Sequence, residues 1–280
     1  MARRALFTRR YRPSGSRRTG HGEPLLLIHP FMLSHHSWRP VAERLPQYDV
    51  LAVSMPGHYG GPGVSLTARF DDLVDHLEAE MDRHGWDTAH VVGNSLGGWA
   101  ALELGRRGRA RSVTAIAPAG GYDSLTLRDA AMVASFLVAA AGRRPARLTN
   151  VLPLLPAVAS LGLRAVAHDP RQIVPADARH VIRTALGATH PVRVLLACAR
   201  SIPAPGIETI PVPVHLVFAD KDVVIPPRRY APYFTDRLPH AKVTTLQGVG
   251  HCPQVEVPGL VAEMVHDFVV ASTAPVAATA

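Results

Sequence analysis

The stretch Gly93-Asn94-Ser95-Leu96-Gly97-Gly98 constrains this chain more than any other. It follows a short apolar run, Ala89 to Val92, and precedes a helical pattern from Trp99 to Leu104. A serine therefore sits where a buried strand turns sharply into a helix. A corner that tight needs neighbours without a Cβ, so that two backbones pass closely and the serine stands at the tip. G-x-S-x-G alone is a common pattern. The strand before it and the helix after it give it structural meaning.

A serine hydroxyl is a weak nucleophile at neutral pH. It needs a base within hydrogen-bond reach, and the base needs a carboxylate to hold its tautomer. Two later loops carry such groups. Val214 to Ala219 reads as a buried strand and runs into Asp220-Lys221-Asp222-Val223-Val224-Ile225-Pro226. Lys242 to Leu246 reads as another, followed by Gly248-Val249-Gly250-His251-Cys252-Pro253. An acid and a histidine thus each follow a strand end, after the serine and in that order.

On these three motifs, and on Leu25-Leu26-Leu27-Ile28-His29-Pro30-Phe31 near the start, the chain resembles the α/β-hydrolase superfamily. The resemblance is to its capped, serine-nucleophile branch of esterases, lactonases and C–C-bond hydrolases, and it spans residues 23–270. It implies an α/β fold: a mostly parallel central sheet flanked by helices, with an inserted helical cap. Carried onto this sequence, it implies Ser95 as nucleophile, Asp222 as acid and His251 as base. Asp220 is a rival acid two residues away. Asp123, just after the strand Ser112 to Ala117, is another. The resemblance further implies an oxyanion hole made by the backbone N–H groups of Leu96 and Phe31.

Two departures stand out. The family commonly has His-Gly where this chain has His29-Pro30. Proline has no N–H, so the donor is expected to remain the next residue, Phe31, on a differently shaped loop. The family often reads D-x-P-G where this chain has Ser54-Met55-Pro56-Gly57, which predicts the loss of a local loop hydrogen bond.

The resemblance implies a cofactor-independent serine hydrolase. Its substrate would be a small carboxylic ester, lactone or related carbonyl compound, attacked through an acyl-enzyme on Ser95. Two alternatives stay open. One is capture of the acyl-enzyme by an alcohol or amine, which is acyl transfer. The other is a ligand-binding member with little turnover, for which Pro30 is the only support. Serine at position 95 argues against epoxide hydrolases and haloalkane dehalogenases, whose elbows carry aspartate.

The rest of the chain alternates strand and helix. Apolar runs predict strands at 24–29, 50–54, 89–93, 112–117, 213–219 and 242–246. Phe70, Leu73, Val74, Leu77 and Met81 keep helical spacing, as do Leu260, Val261, Met264, Val265, Phe268 and Val269 after Pro258. Continuous apolar strands alternating with amphipathic helices predict a parallel sheet covered on both faces, with the site at the strands' carboxyl ends. Residues 23–122 and 209–270 form the predicted core. The interval 123–208 has no convincing strand and eight prolines, and is read as the helical cap. Met132, Phe136, Leu137, Leu152, Leu154 and Leu155 are the cap residues considered for an apolar or mixed small-molecule pocket.

Net charge is +8, and the first 20 residues hold seven arginines and no acid, so the remainder is near neutral. Residues 1–22 are read as a loose basic segment, more readily a solvated tail than a contact for phosphates or a membrane surface. Residues 271–280 are read as a flexible tail. The longest near-apolar stretch, Ala130 to Ala141, is too short to span a bilayer. With no apolar segment after Arg9-Arg10, a cytoplasmic protein is expected. Two cysteines, Cys198 and Cys252, do not make a disulfide framework. Fifteen histidines are scattered without metal-binding spacing, so no metal is expected, nor any cofactor or nucleic-acid partner.

Overall fold

The computed structural model describes residues 22–122, 163–202, 204 and 206–273, with the backbone of 14–17. Seven strands form one sheet: β1 (Ser14–Arg17), β2 (Pro24–Ile28), β3 (Asp49–Val53), β4 (Ala89–Asn94), β5 (Ala110–Ile116), β6 (Val214–Ala219) and β7 (Lys242–Leu246). Their spatial order is β1-β3-β2-β4-β5-β6-β7. All neighbours from β3 to β7 pair in parallel, whereas β1 pairs antiparallel to β3.

The strands read as unbroken apolar runs because both faces are buried, and their period of two divides them between two cores. Leu26, Ile28, Val91, Val113, Ala115, Leu216 and Phe218 point into one core. Leu25, Leu27, Val92, Ile116, Val217 and Ala219 point into the other. The first core is closed by α2 (Phe70–Arg83), α3 (Leu96–Arg106) and α6 (Pro227–Arg237), through Phe70, Leu73, Val74, Leu77 and Met81 of α2, Trp99 and Leu102 of α3 and Phe234 of α6. Trp99 stacks on Phe70 with ring centroids 3.8 Å apart. The second core is closed by α1 (Arg39–Ala42) and α8 (Pro258–Thr273), with Val41, Val261, Val265 and Val269 facing the sheet. Leu260, placed on the apolar face by its spacing, is instead 46% exposed, and Met264 packs only at the margin.

One strand escapes the apolar pattern. Ser14–Arg17, within the segment read as loose, pairs along β3 from Ser14 with Val53 to Arg17 with Val50. Its Ser-Gly-Ser-Arg sequence has no apolar residue to signal a strand. β7 closes the opposite edge and is mostly exposed. Polar residues on both edges suit strands with one free side.

Of the interval 123–208, residues 123–162 lie outside the described residues, and with them Asp123 and the six apolar residues singled out above. The described remainder contains α4 (Pro175–Gly187) and α5 (Pro191–Ala199), and no strand. α4 packs on the 3-10 turn His35–Trp38, which follows β2 on the carboxyl side of the sheet. Arg39 pairs there with Asp177 at 2.5 Å. The rings of His36 and His180 lie parallel, 5.0 Å apart, and His35 lies 4.1 Å from His36. Burial, then the His35 and His180 rings and Arg39, pushes His36 down to about 3; burial and His180 push His35 down to about 4.

Leu26→Ala empties a fully buried position and should cost about 2–5 kcal/mol by chemical denaturation. Leu260→Ala, on the exposed side of α8, should stay within about 0.5 kcal/mol. A second prediction concerns acid. The unfolded chain takes up histidine protons near 6.5, whereas the folded chain holds His35 and His36 neutral down to about 4 and about 3. The unfolded state then binds more protons, so stability falls as pH drops below 6.5. Melting temperatures across that window should decline, and less steeply for His36→Phe.

Candidate active site

Ser95 occupies the turn between β4 and α3 with φ 57° and ψ −116°. A side chain is rarely found in that left-handed region, and the strain persists only where surroundings over-determine it. Here the Ser95 N–H donates to the Ile116 carbonyl at 2.8 Å, and the Ser95 carbonyl accepts from Trp99 and Ala119, each at 3.0 Å. The flanking glycines are required by contact. A Cβ on Gly93 would run into the Gly97 carbonyl, and one on Gly97 into the Ile28 carbonyl.

His251 and Asp222 meet. His251 Nδ1 lies 2.7 Å from Asp222 Oδ2, with both side chains buried. The other carboxylate oxygen accepts N–H bonds from Val224 and Ile225, both at 2.8 Å. Burial alone would raise the Asp222 pKa, but His251 and those two N–H groups outweigh it and hold the carboxyl below its ordinary value. An ionised Asp222 can only accept, so the imidazole proton sits on Nδ1 and Nε2 carries the lone pair. Asp220 faces elsewhere. Its Oδ1 accepts from the Gly248 N–H at 2.6 Å and its Oδ2 pairs with Lys221 at 2.8 Å. It braces the loop and does not bond His251.

Asn94 joins the serine corner to the histidine loop. This fully buried amide donates to the Ile116 carbonyl at 3.1 Å and to the His251 carbonyl at 3.0 Å. Its own oxygen accepts from Gln254 Nε2 at 3.1 Å. The residue before Ser95 is thereby tied to the backbone of His251, 157 positions later. In the sequence Asn94 figures only as a member of the serine motif, and Gln254 falls just after the histidine motif.

The loop after β2 is held by a neutral imidazole. Met55 donates its N–H to His29 Nε2 at 3.0 Å, which leaves the proton on Nδ1 to donate to the Pro30 carbonyl at 2.8 Å. Burial and the nearby His58 ring push the His29 pKa far down, in keeping with that tautomer. Leu33 donates to the same Pro30 carbonyl at 3.2 Å, and Met32 takes φ 65° to close the turn. The Phe31 ring stands edge-on to His58, with centroids 5.7 Å apart. Leu96 opens α3, so its N–H is one of the helix-start donors without an intrahelical acceptor. At Ser54, where the family often has aspartate, the hydroxyl bonds His35 Nδ1 at 2.8 Å.

Cys252, next to His251, is buried, and burial, with Asp222 and Glu256 nearby, raises its thiol pKa well above the ordinary value. It is an inert filler. A cavity of about 820 Å³ lies against His251, between residues 164–172 and the loops of Lys221 and Gly248. Its walls mix Arg164, Arg171 and Lys221 with Ala165, Ala167 and Val223. Among the described residues no group of three His, Cys, Asp or Glu side chains is arranged to hold a metal, and no helix is long and apolar enough to cross a membrane.

A strained serine between a central parallel strand and a helix, with an acid–histidine pair on later loops of the same sheet edge, defines an α/β-hydrolase arrangement. The model of the Alpha/beta hydrolase family matches residues 25–264, and the chain belongs to that family. It is 37% identical over 202 residues to the epoxide hydrolase EphH of Mycobacterium tuberculosis, covering 70% of this chain and 93% of that protein. It is 33% identical over 101 residues to a 2-succinyl-6-hydroxy-2,4-cyclohexadiene-1-carboxylate synthase of Serratia proteamaculans, covering 36% of this chain and 39% of that one. In fold it is similar to a thermophilic esterase from Thermogutta terrifontis, with TM-score 0.75 at 19% identity over 93% of this chain and 94% of the other.

Asn94→Ala strands the His251 carbonyl and the Gln254 amide and removes one of two donors to the Ile116 carbonyl, and should cost about 1–3 kcal/mol of stability. It should also slow any reaction that needs Ser95 and His251 in register. Denaturation and probe labelling of Ser95, measured on the same variant, check both.

Proposed function

We propose that this alpha/beta hydrolase is a cofactor-independent serine hydrolase of small carboxylic esters, lactones or related carbonyl compounds, working through an acyl-enzyme on Ser95. The observation that carries this reading is the 2.7 Å pairing of His251 with Asp222 on a loop that Asn94 ties to the Ser95 corner. His251 Nε2 takes the hydroxyl proton as Ser95 Oγ attacks the carbonyl. Asp222 stabilises the imidazolium without taking its proton. The developing oxyanion is received by the N–H groups of Leu96 and Phe31, each worth about 3–4 kcal/mol at the transition state. The imidazolium then protonates the leaving group, and water, deprotonated by the same ring, cleaves the acyl-enzyme.

A second reading has one observation in its favour, the 37% identity to an epoxide hydrolase. Ser95 attacking an epoxide would leave an ether, which water and His251 cannot cleave as they cleave an ester. Epoxide opening here would therefore need His251 to activate water directly, with Ser95 a bystander.

The two readings separate on Ser95→Ala. Under the first, fluorophosphonate labels Ser95, esters or lactones turn over, and Ser95→Ala abolishes both with the fold intact. Under the second, epoxide turnover survives Ser95→Ala and is lost in His251→Ala. Asp222→Asn should lower kcat roughly 10³–10⁴-fold, and Asp220→Asn far less. The reverse ranking would move the acid to Asp220.

A further inference from the structure

Directly after His251 the chain makes the four-residue helix α7 (Pro253–Glu256). Glu256, its last residue, is 2% exposed and has no cationic partner among the described residues. Its two oxygens are met by backbone N–H groups among the described residues. Oε2 accepts the N–H of Gly250 at 2.8 Å and of His168 at 3.1 Å, and Oε1 accepts that of Asp169 at 2.7 Å. A carboxylate taken out of water is costly unless such donors are all in place, and charge-assisted bonds of this kind are short and directional.

The three donors come from two separate pieces of chain. Gly250 immediately precedes His251, whereas His168 and Asp169 belong to the segment leading into α4. A fourth bond joins the same pieces, from the Cys252 N–H to the Val166 carbonyl at 2.7 Å. They lie in direct contact, since a Cβ on Gly250 would run into the His168 backbone nitrogen. Asp220 grips the same histidine loop at Gly248 but makes no bond to residues 163–169. Of these two carboxylates, Glu256 is the one that bonds both pieces.

We propose that Glu256 is the positioning residue of the base loop: by bonding Gly250, His168 and Asp169 together, its carboxylate sets the register of His251 and makes that register depend on the seat of residues 163–169. The consequence for turnover rests on the serine-hydrolase reading; the consequence for the His251–Asp222 pair does not. Misplacement of a reacting group by about 1 Å can cost on the order of 100-fold in rate, and such placement is secured by the groups behind it.

The test uses the full chain, p-nitrophenyl acetate as substrate, thermal melts, and the downfield proton resonance of His251 Nδ1 that its bond to Asp222 creates. Glu256→Gln keeps the shape but turns one acceptor into a donor. It should lower kcat about tenfold, and Glu256→Ala about 100-fold, with KM changed less than about twofold. Both should shift or broaden the His251 resonance in a protein that still melts cooperatively. Gly250→Ala should give the same pattern with the carboxylate intact, and Asp220→Asn should move both readouts far less. Wild-type kcat and an unshifted resonance in folded Glu256→Gln and Glu256→Ala would overturn the proposal. So would an Asp220→Asn effect equal to that of Glu256→Ala. If Glu256→Ala does not fold, Glu256→Gln and Gly250→Ala decide. If the wild type neither labels at Ser95 nor turns over ester, the serine-hydrolase reading falls, and the resonance still decides the role of Glu256.

Discussion

The backbone of Ser95 is the constraint on which the carboxyl edge of the sheet depends. A residue held in that left-handed conformation costs about 1–3 kcal/mol, and nothing local repays it. The repayment comes from β5, whose Ile116 carbonyl holds the Ser95 N–H, and from the start of α3. The corner therefore exists only when the central strands are paired and α3 lies against them. Gly93 and Gly97 permit the contact but do not cause it. The cause is the burial of two apolar faces, which fixes β4 at the middle of the sheet, beside the strand carrying the His29–Phe31 loop.

The second organising element is polar. Asn94, Gln254, Asp222 and Glu256 are buried, and their partners are backbone groups, one another or, for Asp222, also the His251 ring. A hydrophobic core can tolerate small slides, but a buried carboxylate with three short bonds cannot. The loops at this edge are fixed by such bonds and so are placed more narrowly than their lack of regular structure suggests. Burial does the same for the imidazoles. His29, His35 and His90 all have lowered pKa values, with desolvation the largest cause. His90 links Ser112 and Glu23 at the opposite end of the sheet. Kept neutral, a histidine offers one donor and one acceptor in fixed directions, and this chain uses many of them as struts.

How much of this could be read from the residues follows from the physics of each part. Central strands were legible because burial on both faces leaves an unbroken apolar run. β1 was not, because an edge strand of Ser, Gly, Ser and Arg is specified by its partner's free backbone. The apolar face of α2 was read residue by residue, whereas Leu260 kept the right spacing and still met solvent, since α8 begins only two residues earlier. Motif order singled out Ser95, Asp222 and His251, and folding brings the last two together. The choice between Asp220 and Asp222 became physical only once each carboxylate had a direction. Asn94, Gln254 and Glu256 have no signature of spacing. Their partners lie far along the chain or are backbone groups, and only folding brings them together.

The division of every central strand between two cores has a consequence for how such a chain can change. Substitutions are met one contact at a time, but a deletion within β4 is not. Losing one residue from Ala89–Asn94 would turn Val91 toward the neighbours of Val92, and exchange the inner and outer lining of the strand. It would also rotate the approach to Ser95 by half a turn, away from the loop that Asn94 holds. In a lineage of such sequences, length should vary freely in the connections and hardly at all in the strands. The spacing between Leu26 and Ile28, or between Val91 and Ser95, is then inherited more strictly than the residues themselves.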